Sequence, residues 1–223
     1  MPQSIELTLS PEVAADVHRY APRVAHVLGV SEHDIALLRV VRRSIDARQR
    51  QIKVHLTVEV YIDTEPLPQE IHFDYPQVEH RPEVVVVGSG PAGLFAALRL
   101  IELGFRPIVL ERGKQVLERK KDIAQINRNA TVNPESNYAF GEGGAGTFSD
   151  GKLFTRSKKR GDYNRALQAL VFHGASEEIL YEAHPHIGTD KLPRIISHIC
   201  QTIVDHGGEV RFGCRVTGIY LHD

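Results

Sequence analysis

Val84 to Val87 form an unbroken run of four β-branched residues that leads directly into GSGPAG at 88–93. A short continuous apolar run of this kind reads as a strand buried on both faces in a parallel sheet. The next stretch, carrying Leu94, Phe95, Leu98, Leu100, Ile101 and Leu103, reads as a helix stopped by Gly104, and a second strand, Pro107 to Leu110, ends at Glu111. The whole is a β-α-β unit with a glycine fingerprint at its first turn. Gly88 permits the tight turn, Gly90 leaves room for a pyrophosphate, and Gly93 lets the helix close on the strand. Pro91 starts the helix where no donor is needed, and the amides around Ala92 with the helix dipole make a seat for a diphosphate. Glu111 lies 18 residues beyond Gly93, where an acid accepts hydrogen bonds from an adenosine ribose and repels a 2′-phosphate.

NAD and FAD share the adenosine diphosphate half, so the fingerprint does not choose between them. In a simple NAD domain the third strand should arrive soon after the second, whereas residues 112–160 read as a long insertion of helix and glycine-rich loop. The loop NYAFGEGGAGTFSDGKL at 137–153 has glycine at 141, 143, 144, 146 and 151. Such density allows unusual backbone angles and close approach to a flat ligand, with amides free to donate. A flexible surface loop is the alternative; Phe140, Phe148 and Leu153 among the glycines argue against it.

Upstream, Ile5, Leu7 and Leu9 alternate with polar residues, and Ser10-Pro11 opens a helix with apolar spacing from Val13 to Leu28, in which Pro22 should kink or divide the element. A strand is expected over 35–45. Ile52, Val54, Leu56, Val58, Val60 and Ile62 share one face of the next. This predicts a small β-α-β-β, α+β domain over 1–80, ending in the connection TEPLPQE, with a Rossmann-like α/β domain over 81–223. The charges divide similarly, with 8 basic and 12 acidic residues in 1–80 against 19 and 16 beyond. The window 39–53 holds Arg39, Arg42, Arg43, Arg48, Arg50 and Lys53, a possible RNA contact, but it lacks the aromatic residues that stack bases, and a solvated hairpin is the plainer reading.

A net charge of −1 and 42% apolar residues exclude disorder and bulk polyanion binding. Cys200 and Cys214 are too few for a secreted disulfide framework, which points to a soluble protein in the reducing cytoplasm, with no membrane segment. No cysteine lies between residues 94 and 199, where a disulfide reductase of this kind carries its pair soon after the β-α-β unit, which excludes that chemistry. His173, His184, His186 and His198 lack metal-ligand spacing, so no metal is expected.

The stretches VVVVGSGPAGLFAALRLIELGFRPIVLERG at 84–113, NPESNYAFGEGGAGTFSDGKLFT at 133–155 and HPHIGTDKL at 184–192, with SIDAR at 44–48, together resemble the uncharacterised FAD-dependent dehydrogenases. These belong to the NAD(P)/FAD-dependent oxidoreductases with a glutathione-reductase-like flavin fold. The resemblance implies FAD, with Gly88, Gly90, Pro91, Ala92 and Gly93 at the diphosphate and Glu111 at the ribose. It sets Gly143, Gly144, Ala145, Gly146 and Thr147 near the isoalloxazine. Arg112 and Arg119 are candidate cofactor contacts by position only, or else surface cations. Lys152 and Asp150 are the nearest acid–base candidates, or a local ion pair.

Toward the C-terminus, Thr189 or Asp190 should cap a helix carrying Leu192, Ile195, Ile196, Ile199 and Ile203. Strands are expected at Val210–Phe212 and Val216–Tyr220. The resemblance places Val216 at the adenine and a closing cofactor strand beyond residue 223, so that the flavin domain is expected to be incomplete at its C-terminus. The expected function is an FAD-dependent oxidoreductase, with NAD(P)H a candidate electron donor to the longer protein and an unknown small-molecule substrate. An NAD-dependent dehydrogenase and a nucleotide-binding or RNA-contacting regulator are the alternatives.

Overall fold

A computed structural model describes residues 2–68, 70–155 and 161–220. Gln69 of the expected connection, residues 156–160 of the expected insertion and the last three residues, on which the expected C-terminal break falls, lie outside them. The chain divides into two compact units, Met1–Ile71 with Phe154–Arg156 and Glu177–Pro185, and His72–Leu153 with Ser157–Ser176 and His186–Asp223.

The first unit is an antiparallel sheet in the order β1-β3-β2, formed by β1 (Gln3–Leu9), β2 (Ile35–Asp46) and β3 (Lys53–Ile62). Period-2 alternation puts Ile5, Leu7 and Leu9 of β1 and Val54, Leu56, Val58 and Val60 of β3 on one face, where Tyr20 and Val24 complete the core. Ile52 is not part of that face: it precedes β3 and is 47% exposed. The helical stretch divides into α1 (Pro11–Ala14) and α2 (Val17–Leu28), but not at Pro22. The break comes where the Asp16 carboxylate accepts from the His18 amide at 3.0 Å and starts a new helix, while Pro22 is carried inside α2.

Residues 177–185 close the free edge of β2. The Arg43 amide donates to the Tyr181 carbonyl and the Ala183 amide to the Arg43 carbonyl, both at 2.8 Å. The Arg43 guanidinium pairs with Glu182 and Glu178, Arg39 with Glu59 and the Tyr61 hydroxyl, and Arg48 with Asp46. Half of the six cations in the basic window thus have carboxylate partners inside the unit, which lowers the charge offered to a polyanion.

The second unit is built on a parallel sheet in the order β4-β5-β6, from β4 (Glu83–Val87), β5 (Arg106–Leu110) and β6 (Glu209–Arg211). Helix α3 (Pro91–Glu102) crosses from β4 to β5 and packs on both strands. A Cβ at Gly93 would lie 2.0 Å from the Gly88 carbonyl oxygen, so the helix can approach the strand this closely only with glycine there. Helices α4 (Val116–Asn129) and α5 (Tyr163–Phe172) follow. Then α6 (Leu192–Asp205) packs against α3 and β6 with Ile195, Ile196, Ile199 and Ile203 buried.

Three expectations differ in this unit. The β4 run is covered on one face only, with Val85 and Val87 59% and 63% exposed. Helix α6 is preceded by Lys191 rather than capped by Thr189 or Asp190. The amides of Lys191 and Leu192 donate to the Gly188 carbonyl, so the chain is already turning helically before a side-chain cap would act. Residues 216–220 are not a strand, since none of the described residues pairs with them and β-structure needs a hydrogen-bonding neighbour.

Leu56 is 2% exposed in the first core and Leu67 is 88% exposed. Leu56→Ala is expected to destabilise this unit by about 2–5 kcal/mol, and Leu67→Ala by less than about 0.5 kcal/mol. Urea titration of the two variants measures the difference.

Candidate functional site

Parallel strands leave a crevice beyond their carboxyl ends, and the turns that follow β4 and β5 build this one. A cavity of about 460 Å³ opens there, lined by Val87, Gly88, Gly90, Leu110, Glu111, Arg112, Ala139, Phe140, Gly144, Cys214, Arg215 and Val216. Of the sequence-derived candidates, Gly88, Gly90, Glu111, Arg112, Gly144 and Val216 are brought together on its wall. A larger hollow in the first unit, about 560 Å³, is lined by residues of two turns, including Pro11, Glu12, Arg50 and Lys53. None of the fingerprint residues lies there.

Gly90 ends the turn in extended backbone, φ −68° and ψ 177°, and Pro91 starts α3 directly after it. The amides of Ala92 and Gly93 fall in the first helical turn, where no intrahelical acceptor exists. A Cβ built at Gly90 meets no atom within 4 Å, so the space in front of this helix end is open. The loop 143–147 lies against the same turn: the Gly143 amide donates to the Ser89 carbonyl at 2.9 Å, and a Cβ at Gly144 would come within 3.0 Å of the Gly90 Cα. Thr147 is fully buried with its hydroxyl donating to the Glu142 carbonyl, whereas Ala145 is exposed.

Glu111 does not present a free carboxylate to this cavity. Its Oε2 accepts from the Ser89 amide at 2.8 Å and the Ser89 hydroxyl at 2.9 Å, and its Oε1 from the Gly113 amide at 2.8 Å and the Gly141 amide at 3.0 Å. A carboxylate has about four acceptor sites, and all are used within the chain. Burial alone would raise its pKa. The amides of Ser89, Gly113 and Gly141 and the Ser89 hydroxyl outweigh it and hold the group below the ordinary 4.5.

Arg119 is neither a surface cation nor part of the cavity wall. It is fully buried, and its guanidinium donates to the carbonyls of Asn137 at 2.8 Å, Tyr138 at 2.9 Å and Glu142 at 2.7 Å, beside the ring of Phe148. Burial pushes its pKa down, while the Glu111 and Glu142 carboxylates act in the opposite direction. Glu142 in turn accepts from the Val116 amide at 2.6 Å, satisfying a donor at the start of α4. These two residues give the glycine loop its shape without regular secondary structure.

Arg112 lines the cavity with its guanidinium 3.9 Å from the centroid of the Phe140 ring, and Glu135 accepts from its Nε at 2.9 Å. Phe140, Cys214 and Arg215 are wall residues that the sequence reading did not assign; the aromatic ring among glycines was the one available signal for them. Asp150 and Lys152 form an exposed ion pair at 2.8 Å and do not line the cavity. Cys200 is buried on α6, and burial with Glu142 nearby pushes its thiol pKa far up. His173 is likewise buried, which lowers its pKa, with Nδ1 on the Ala169 carbonyl. Among the described residues no group of three or more His, Cys, Asp or Glu is placed to hold a metal, and no helix is long and apolar enough to cross a membrane.

Residues 83–125, from β4 into α4, match the family profile of an FAD binding domain, and residues 1–61 match that of a domain of unknown function (DUF8436). An uncharacterized protein of Clostridium beijerinckii is 38% identical over 226 residues, which cover 93% of this chain and 42% of that protein. The chain therefore spans about two fifths of that relative's length. The first of these matches supports FAD binding by the second unit.

Glu111→Gln replaces an acceptor with an amide that carries donors toward donors, and is expected to destabilise the second unit by about 1–3 kcal/mol for each buried N–H left unpaired. A folded-state pKa held below the unfolded one contributes stability that is present above about pH 4.5 and lost as pH falls through the folded value. Urea titrations across pH 3 to 7 should show that part of the acid dependence in the parent chain and not in Glu111→Gln.

Proposed function

We infer that this chain holds the adenosine diphosphate part of FAD in the cavity beyond β4 and β5, as the cofactor-binding portion of a flavin-dependent dehydrogenase. The observation that carries this reading is the open space before Gly90 at the start of α3, on the wall of a cavity of about 460 Å³. The diphosphate would meet the first-turn amides of Ala92 and Gly93 and the helix dipole. The ribose would meet the backbone at Gly88 and Glu111 and the side chain of Arg112, and the adenine would lie by Val216. Gly143 to Thr147 would border the ring end of the ligand. Glu111 is assigned to the shape of the turn rather than to the ribose hydroxyls, because its acceptor sites are used.

When bound, FAD supplies hydride acceptance and onward electron transfer at its ring system. The residues of this chain bind and orient it. In a polypeptide of the relative's length, NAD(P)H is the proposed electron donor to a small-molecule substrate, and no residue of this chain is assigned to either. A reducing, cytoplasmic setting suits the two free cysteines. The ion pairs inside the basic window of the first unit favour this reading over an RNA-contacting one.

Purified chain mixed with FAD and desalted is expected to retain flavin absorbance that is released on denaturation. Gly90→Val fills the space before α3 without straining the extended backbone at that position. It should keep the circular dichroism spectrum and lose FAD affinity by about 100-fold or more. Retention of NAD with no retention of flavin would overturn the proposal in favour of an NAD-dependent dehydrogenase.

A further inference from the structure

Two arginines, Arg112 and Arg215, are among the residues that line the cavity, and the proposed ribose is assigned to the wall at Arg112. Arginine beside the acid that ends the second strand is the arrangement that accepts a phosphate on the ribose 2′-oxygen. The carboxylate at the strand end keeps its negative charge, but both oxygens of Glu111 are turned onto Ser89, Gly113 and Gly141, and these four donors offset part of its repulsion of such a phosphate. Against that partly offset charge, two guanidiniums would draw a 2′-phosphate toward this wall.

A different carboxylate lies between the two arginines. Glu135 is not on the cavity wall, yet its Oε2 accepts from Arg112 Nε at 2.9 Å and its Oε1 from Arg215 Nη1 at 3.1 Å. Arg112 is held at further points by the Pro134 carbonyl, at 3.1 Å from Nη2, and by the face of the Phe140 ring. The backbone that presents Glu135 is set by an Asx turn, in which Asn133 Oδ1 accepts from the Glu135 and Ser136 amides at 2.9 and 3.2 Å. Hydrogen bonding to Arg112, with the charges of Arg112 and Arg215 added, holds the Glu135 carboxyl below its ordinary value.

We propose that Glu135 is a specificity-determining positioning residue: by tying and neutralising Arg112 and Arg215 from behind the wall, it sets this nucleotide pocket for a ribose with free hydroxyls and against a 2′-phosphate. The inference rests on the nucleotide reading of the cavity and goes beyond it by naming what sets the pocket's preference at the ribose 2′-oxygen. Glu135 acts through the arginines and touches no ligand, so its removal should alter the preference between two ligands rather than binding as a whole.

The test compares ADP-ribose with 2′-phospho-ADP-ribose, which differ only in that phosphate, by competition against FAD or by calorimetry at low salt. The parent chain should prefer ADP-ribose. In Glu135→Gln, which keeps the shape and removes the charge, the preference should move toward 2′-phospho-ADP-ribose by about tenfold, the equivalent of one charge-assisted contact. The gain should shrink at high salt. Arg215→Ala added to Glu135→Gln should cancel it. A ratio unchanged in Glu135→Gln, or a gain that survives the second substitution, overturns the proposal. If the parent binds neither ADP-ribose nor FAD, it is the nucleotide reading itself that fails, and the ratio in the variant is not the reason. Equal loss of both ligands in Glu135→Gln would mark a purely structural role and also overturn the inference.

Discussion

The second unit depends on one buried carboxylate. Glu111 leaves the end of β5 and collects donors from three separate segments: the fingerprint turn at Ser89, the turn at Gly113 and the glycine loop at Gly141. No hydrophobic contact could align these segments with comparable precision, because two of the three offer only glycine backbone. An ion in this position would carry a large desolvation penalty if its oxygens were unpaired. With four donors on two oxygens the penalty is offset, and the carboxylate becomes a template on which the cavity wall is assembled.

The glycine loop follows from the same arrangement. It has too few side chains to form a core of its own, so its path is set by the residues that grip its carbonyls. Arg119 takes three of them, and the crowding that results accounts for the glycine at 141. With φ +119°, a Cβ there would lie 2.5 Å from Arg119 Cδ. Gly113 has a matching role on the other side, where a Cβ would lie 2.4 Å from the Gly141 nitrogen. Glycine density in this stretch thus serves close internal packing as much as access for a ligand.

What could be read from the amino-acid sequence was the part governed by short periods. The β-α-β unit, the alternation in β3 and the position of Glu111 all follow from spacing along one element. What could not be read depends on neighbours distant in sequence. Arg119 looks like any cation on a polar helix until the loop 137–142 is laid over it. The run at β4 is apolar enough for two covered faces, but coverage is a property of what packs on it, and among the described residues one face has little. Residues 216–220 have strand-like composition and no partner to pair with. The split at Asp16 rather than Pro22 shows a local competition, in which a side-chain cap decides where a helix starts while proline in the second turn is tolerated.

Glu111 also shows where a motif stops carrying chemical information. Spacing from the glycines places its Cα at the end of the second strand, and from there two directions are open to the carboxylate, outward to a ribose or inward to the turns. The choice is made by the supply of inward donors, and Ser89 together with the amides of Gly113 and Gly141 provides enough to fill every acceptor site. The acid so committed has no acceptor site left for a ribose hydroxyl, while its negative charge remains and is only partly offset by the four donors. The electrostatics that a ribose would meet in the proposed site come also from Arg112 and Arg215, whose positive charge is offset by Glu135, a residue 24 positions further along the chain and outside the β-α-β motif altogether.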